Sequence, residues 1–353
     1  MKKFALCAVA LLTASIAIFV GTSEPRYHGR TLTSWLQQCY DTPLNETQRL
    51  QEAQTAVRAI GAKRALPKLL KLVAAKDDPA STRIIKKSEE WKIQFLHWHS
   101  ATDFQQLGIA GFEALETNAA PAVGELTKFL DDNEQAFAAV RCLVAIGTPA
   151  EAGVSKALTN KNENVRYFAT QQFAWVTEDD KVFLARMRDC LKDPDVSVQV
   201  AAVDGIGAQT QAPEEAVPLL LSLLKESKGN ASLHAAGALA NFGTNAMKAF
   251  PVLSDMVESG RPDATTHQAL KTLVAIAPGE ALPIVLKSLQ SSDKLLRHIS
   301  FRLLCHYPVK TSEIQSAIER AATDPDPAQA RQAQKFITEQ YQKDHTEQAI
   351  FPD

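Results

Sequence analysis

The chain has 353 residues, 45% of them hydrophobic and 22% charged, with a formal net charge of −2. That balance describes a folding chain rather than a disordered one, and its near-neutrality argues against a general nucleic-acid binder, which shows a basic footprint. The 15 glycines, about 4% against a typical ~7%, are lean for a protein made of tight β-turns, and 5 cysteines are too few for a disulfide-built scaffold.

Lys2 and Lys3 precede an uncharged apolar run from Phe4 to Val20, and Gly21, Thr22 and Ser23 come directly after it. A basic start, an apolar stretch and small residues at its end predict a secretory signal peptide over residues 1–23. The run also reaches the short end of the ~17–25 residues that span a bilayer, so an uncleaved N-terminal anchor is the other reading. Either way Lys2 and Lys3 stay in the cytoplasm and the rest is exported, to the periplasm or beyond. Cys39, Cys142, Cys190 and Cys305 lie far apart in apolar helical contexts with no C-x-x-C, so free thiols are expected and a zinc site is not.

Residues 24–47 form an N-terminal segment with a loop entering a short helix, where Thr31 or Thr33 would be the cap. Tyr27, Leu32, Trp35 and Leu36 could cover the open end of the helices beyond residue 48.

From residue 48 to 344 the chain repeats itself. Ala65-Leu66-Pro67 to Val73, Ala216-Val217-Pro218 to Leu224 and Ala281-Leu282-Pro283 to Leu289 are copies of one helix, each read with Pro in its first turn. The copies end at Val73, Leu130, Leu158, Leu191, Leu224, Val257, Leu289 and Ala322, so a spacing of about 33 residues is held from Leu158 onward. The longer gap between Val73 and Leu130 requires an insertion, placed at about 76–103. Ala-rich partner helices alternate with these, as in Ala136 to Gly147 and Val198 to Gly207, with glycine expected as the left-handed C-cap. Residues 345–353 are a tail. Two helices per unit, each with one apolar stripe, cannot bury themselves alone and must stack.

The two-helix unit, the proline of its first helix and the Ala-rich second helix ending in Ile-Gly resemble HEAT repeats over roughly residues 48–340. Val165-Arg166 and Leu296-Arg297 match the dipeptide that often opens the second HEAT helix, and Asp193 and Asp195 match the turn aspartate. The unit from Val165 to Leu191 departs most, with Gln171, Gln172, Phe173 and Trp175 in place of small residues. Tyr27-x-Gly29-Arg30-x-Leu32-x-x-Trp35-Leu36 is similar to the start of many exported bacterial HEAT-repeat proteins. The resemblance implies an all-α fold, a right-handed α-α superhelix of about eight repeats in the armadillo-type class.

The inner surface of such a solenoid is made by the second helices, which place Arg141, Gln199, Asp204, His234, Asn241 and Lys271 on it. Residues 24–101 hold 13 Lys and Arg against 8 Asp and Glu, while 102–353 hold 23 against 32. A groove carrying that acidity would favour a basic partner. The insertion interleaves Arg83, Lys86 and Lys87 with Trp91 and Trp98, which pack onto neighbouring repeats or contact a glycan or lipid of the cell envelope. No P-loop, G-x-S-x-G or H-E-x-x-H occurs, and His97 and His99 have no third ligand at an obvious spacing. No catalytic residue, cofactor or metal is therefore expected. Among HEAT-like enzymes, lyases act on bilins and a glycosylase acts on DNA through a basic groove that the charge count opposes. The favoured reading is a non-enzymatic scaffold holding a protein or peptide partner, with nucleic acid disfavoured and membrane association confined to residues 4–20.

Overall fold

His28 and Gly29 carry positive φ angles of 47° and 76°, and the chain reverses on itself there. This computed structural model describes residues 24–41, 46–77, 100–208, 212–226, 229–309, 311–324 and 326–350. The signal or anchor over residues 1–23 lies outside the described residues, as does most of the insertion. The reversal makes a two-stranded hairpin, β1 (Arg26–Tyr27) and β2 (Arg30–Thr31), with Tyr27 opposite Arg30. It leads into α1 (Leu32–Asp41), whose Leu32, Trp35 and Leu36 are buried. The Trp35 indole N–H donates to the Tyr27 carbonyl at 3.2 Å, and the Arg30 guanidinium stacks 3.7 Å over the Trp35 ring. The Tyr-x-Gly-Arg-x-Leu-x-x-Trp-Leu element is thus a self-bonded plug: the glycine makes the turn and the arginine covers the tryptophan. Nearby, Glu24 pairs with Lys68 at 2.7 Å and accepts the Thr33 hydroxyl at 2.7 Å. Burial would raise the Glu24 carboxyl, but the bonds from Lys68 and Thr33 outweigh it and hold its pKa below the ordinary value.

Residues 1–186 and 187–353 form two compact units, with the boundary inside one helix. In the first, α2 (Thr47–Ile60), α3 (Ala62–Val73), α4 (Ala101–Leu115), α5 (Val123–Phe129), α6 (Ala136–Ile146), α7 (Glu151–Ala157) and α8 (Glu163–Gln172) come after the hairpin and α1. Helices α4, α6 and α8 pack side by side as one layer, and α3, α5 and α7 lie against them as the other. Helix α1 packs on α2 and α4. A close approach of α4 to α3 joins the two layers. A methyl at Gly108 of α4 would stand 2.7 Å from Val73 Cγ2, and one at Gly111 would run into Leu69. Helix α9 (Asp180–Cys190) contains the unit boundary.

The second unit repeats the plan with α10 (Val196–Ala208), α11 (Pro213–Glu226), α12 (Asn230–Ala240), α13 (Phe250–Glu258), α14 (Ala264–Ile276), α15 (Pro278–Ser288), α16 (Lys294–Cys305), α17 (Ser312–Ala321) and α18 (Pro327–Ile350). Helices α10, α12, α14 and α16 pack in sequence as one layer, the second helices of the repeats, which the solenoid reading places inside. Each of α11, α13, α15 and α17 packs against an adjoining inner helix. Helices therefore touch their neighbours in sequence and the helices two further on, which is the contact pattern of an all-α solenoid. The chain is a helical repeat protein of this kind.

Three details differ from the sequence reading. Residues 101–103 belong to α4 rather than to the insertion. Ser100 accepts the Asp103 N–H at 3.1 Å while the Asp103 carboxylate accepts the Ser100 N–H at 2.8 Å, and this capping box starts the helix. Pro67, Pro218 and Pro283 stand inside α3, α11 and α15, since these helices begin about a turn and a half earlier. In other repeats that leading stretch is a 3₁₀ helix instead, Glu116–Ala122 and Gly243–Ala249, with Pro121 inside the former. Proline removes one N–H donor, so the turn around it tolerates either form. Finally, Gly61 and Gly147 do end their helices with φ near 80°, but Gly207 lies within α10. There it admits α12: a methyl would stand 2.6 Å from Ala238 Cβ and 3.1 Å from its Cα.

Candidate interaction groove

The inner helices start after tight turns, and a side chain near the start of several of them reaches back over that turn. Arg166 Nη1 donates to the Asn160 carbonyl at 2.8 Å, Gln199 Nε2 to the Asp193 carbonyl at 2.7 Å, and Arg297 Nη1 to the Ser291 carbonyl at 2.8 Å. The carbonyls they reach lie in the turn that ends the preceding outer helix, so one long side chain ties each of these helix pairs together. The arginines of the Val-Arg and Leu-Arg dipeptides act in this way.

In the second unit the surface of α12, α14 and α16 is hollowed into an open groove with a cavity volume of about 1070 Å³. Its floor is fixed by buried polar ties. Thr272 Oγ1 donates to the Ala236 carbonyl at 2.7 Å, holding α14 to α12. His267 Nε2 meets Asp293 Oδ2 at 2.5 Å, holding α14 to the N-cap of α16, where Asp293 also accepts the Leu295 N–H at 2.9 Å. Burial alone would raise the Asp293 carboxyl. The bonds from His267 and from the Leu295 and Leu296 amides prevail and lower its pKa. At the other end of α16 the Tyr307 hydroxyl donates to the Pro278 carbonyl, and burial pushes its pKa up to about 12. With both ends of α16 pinned, the rotation of that helix is set, and with it the row of side chains it shows.

That row is His298, Arg302 and His306, four residues apart, so the three stand on one helix face. Lys271 of α14 lines the same groove, with Leu233, Val274, Leu295 and Leu303 supplying apolar wall. Leu295 is 51% exposed and adds apolar surface to the groove beside these cations. Lys271 and Arg302 are exposed and make no ion pair among the described residues. No Asp or Glu lines the groove. A smaller lobe of about 400 Å³ shares Leu233 and Gln268 with it and is lined by Asp204, His234 and Asn241.

The groove therefore corrects the charge inference. Residues 187–353 hold 16 Lys and Arg against 20 Asp and Glu, yet the acids are not spread over the inner surface. Asp193, Asp195, Asp263, Asp293, Asp324 and Asp326 accept backbone or side-chain N–H groups in the turns. Glu214, Glu215, Glu280 and Glu313 stand in the first turns of the outer helices α11, α15 and α17, where a helix dipole favours them. Ten of the unit's 20 acids thus stand in turns or first turns; Asp204 of α10 borders the smaller lobe, and the larger groove, lined by Lys271 and Arg302, has no carboxylate in its lining.

Of the residues the sequence singled out, His234 and Asn241 line the smaller lobe. His234 Nδ1 lies 2.8 Å from Asp204 Oδ1, and Asn241 Nδ2 donates to the Gly207 carbonyl at 3.0 Å. Lys271 lines the larger groove. Gln199 is bonded back to its own turn rather than offered to a partner. Arg141, in the first unit, donates to Gln106 at 3.0 Å and Glu113 at 3.2 Å, bridging α6 to α4. Arg83, Lys86, Lys87, Trp91 and Trp98 lie outside the described residues. Arg302, His306 and Leu295 are groove residues that the sequence reading did not single out. The signal that points to them is the i, i+4, i+8 spacing of His298, Arg302 and His306, which shows only when the three are taken together.

In the first unit the corresponding face is aromatic. Phe104 of α4, Phe137 of α6 and Phe168 of α8 recur at close to the repeat spacing. Phe137 and Phe168 meet edge-on with centroids 5.6 Å apart, and Phe104 and Phe137 are 37% and 41% exposed. The four described cysteines form no disulfide, and burial raises the thiols of Cys39 and Cys305 to about 11, so those two are poor nucleophiles. Among the described residues no three His, Cys, Asp or Glu side chains gather in a metal-holding group.

Residues 184–274 match the family described as HEAT repeats. Two engineered proteins of solved structure are similar to the chain. One is 18% identical, covering 87% of this chain and 98% of its own, with a TM-score of 0.39. The other is 17% identical, covering 81% and 97%, with a TM-score of 0.29. No curated protein matches the chain.

Proposed function

We propose that the protein is a non-enzymatic interaction scaffold, exported from the cytoplasm, that holds a protein partner against the inner helices of its repeats. HEAT repeats commonly mediate protein interactions, and the match over residues 184–274 covers two of the three helices that form the groove. The observation that carries the reading is the groove over α12, α14 and α16. It is open and, at about 1070 Å³, slightly larger than the ~300–1,000 Å³ typical of small-molecule sites. It also exposes apolar side chains beside cations that have no ion pair among the described residues, the mixture of a partner-facing surface. Export rests on Lys2, Lys3 and the apolar run Phe4–Val20.

Affinity capture from the native host with chemical cross-linking tests the scaffold reading. A reproducible protein cross-linked to α12, α14 or α16 is the expected result, and cross-links confined to the outer helices would contradict it. For export, residues 1–40 fused to a reporter active only outside the cytoplasm should give signal, and a silent fusion removes that part of the proposal.

A further inference from the structure

Resting on the reading that the inner helices are the binding face, we propose that the groove of the second unit takes an acidic peptide segment bearing apolar side chains, bound in extended form. Charge complementarity is the argument. Lys271 and Arg302 present charge with no ion-pair partner among the described residues, in a groove whose own lining has no carboxylate. Other cations near these helices are engaged: Arg297 with Asp324 at 3.2 Å, Lys294 with Asp326 at 3.5 Å and Lys287 with Glu258 at 3.2 Å. No carboxylate lines this groove, and Asp204, in the lobe beside it, faces His234 Nδ1 at 2.8 Å. Repulsion between the like charges of Lys271 and Arg302 is relieved when carboxylates bind between them.

The geometry selects the form of the ligand. Inner helices packed at about 8–10 Å put α12 and α16 roughly 20 Å apart, a distance spanned by about six extended residues. The side chains of an extended strand alternate at a period of two. One set can drop into the wall of Leu233, Val274, Leu295 and Leu303 while the other meets Lys271 and Arg302. Where the groove passes into the smaller lobe, Gln268 stands at the junction, a carboxamide whose two ends match the N–H and C=O of a peptide group. An anionic lipid fits less well. It needs an enclosed apolar channel for its chains, whereas this groove is open and its continuation holds Asp204, His234 and Asn241.

The test is a phage-displayed random dodecapeptide library panned on the full chain and on the K271E/R302E double variant. Both positions are exposed, so circular dichroism and thermal melting should be unchanged. The expected result is enrichment, on the wild-type chain, of peptides with several Asp or Glu among apolar residues, weakened about tenfold or more on the variant. Enrichment of basic peptides would overturn the inference and leave the scaffold reading standing. Peptides enriched equally on both chains would move the binding site elsewhere, again sparing the scaffold. Failure to enrich any peptide overturns the inference and weighs against peptide binding altogether. Binding of phosphatidylcholine vesicles containing one quarter phosphatidylglycerol, lost in the variant without any peptide enrichment, would assign the groove to lipid instead.

Discussion

The two units build the same kind of inner layer and show different surfaces on it. In the first, α4, α6 and α8 carry Phe104, Phe137 and Phe168, and the nearby cation, Arg141, is consumed in bridging α6 to α4. In the second, α14 and α16 carry Lys271 and Arg302 in a groove with no acidic lining. The scaffold beneath hardly changes: small residues and buried apolar side chains recur in both. In a repeat array the packing positions are shared and the facing positions are free, so one backbone can carry surfaces of different chemistry within a single chain.

Breaking each unit separately sharpens that comparison. Trp35→Ala removes the plug of the first unit, with its indole bond to Tyr27 and its stack with Arg30. It should cost about 3–5 kcal/mol in chemical denaturation, with amide protection lost in α1 and α2 and kept in α12 to α16. Equal loss of protection in both units would show that they are not independent. Gly207→Ala strikes the second unit, because the added methyl meets α12 backbone at 3.1 Å. A loss of about 1–3 kcal/mol is expected, and an unchanged melting temperature would refute the close approach.

Asp293→Ala removes a cap and the tie to His267 together and should cost about 0.5–2 kcal/mol. Because the folded-state pKa of Asp293 lies below its unfolded value, its contribution is complete at neutral pH and is lost as pH falls through the folded value. The stability gap between wild type and variant should therefore stand at pH 7 and close at acid pH, below the ordinary carboxylate range. A gap that is constant with pH would show that the carboxylate charge does not matter. The smallest effect belongs to Trp175→Ala: at 76% exposure the ring packs little, and a change within about 0.5 kcal/mol is expected in the same denaturation assay.

The repeat was legible because it is written in spacing, and spacing survives any local irregularity. From Leu158 onward each outer helix ends about 33 residues after the last, and the period is indifferent to whether a leading turn is 3₁₀, as in Gly243–Ala249, or α-helical, as around Pro218. The start of α4 was not legible, since its capping box lies directly against an insertion that hides the period. The groove was only partly legible. Position on an inner helix found His234, Asn241 and Lys271, but it also nominated Gln199, whose length lets it turn back to Asp193. A linear charge count could not see that aspartates would be drawn into turns, where backbone N–H groups hold them, and so could not say whether the acidity reaches the groove. The side chains that matter most, Arg302 and Leu295, are defined by the rotation of α16, and that rotation is set by Asp293 and Tyr307 at its two ends.

The central claim, that partners bind across the inner helices of the second unit, is tested most directly by site-specific photo-cross-linking in the native host. A benzophenone side chain at Leu295, on the groove wall, should yield a discrete adduct with another protein. The same group at Lys287, on the outer helix α15, should yield none. An adduct from Lys287 and none from Leu295 would contradict the account.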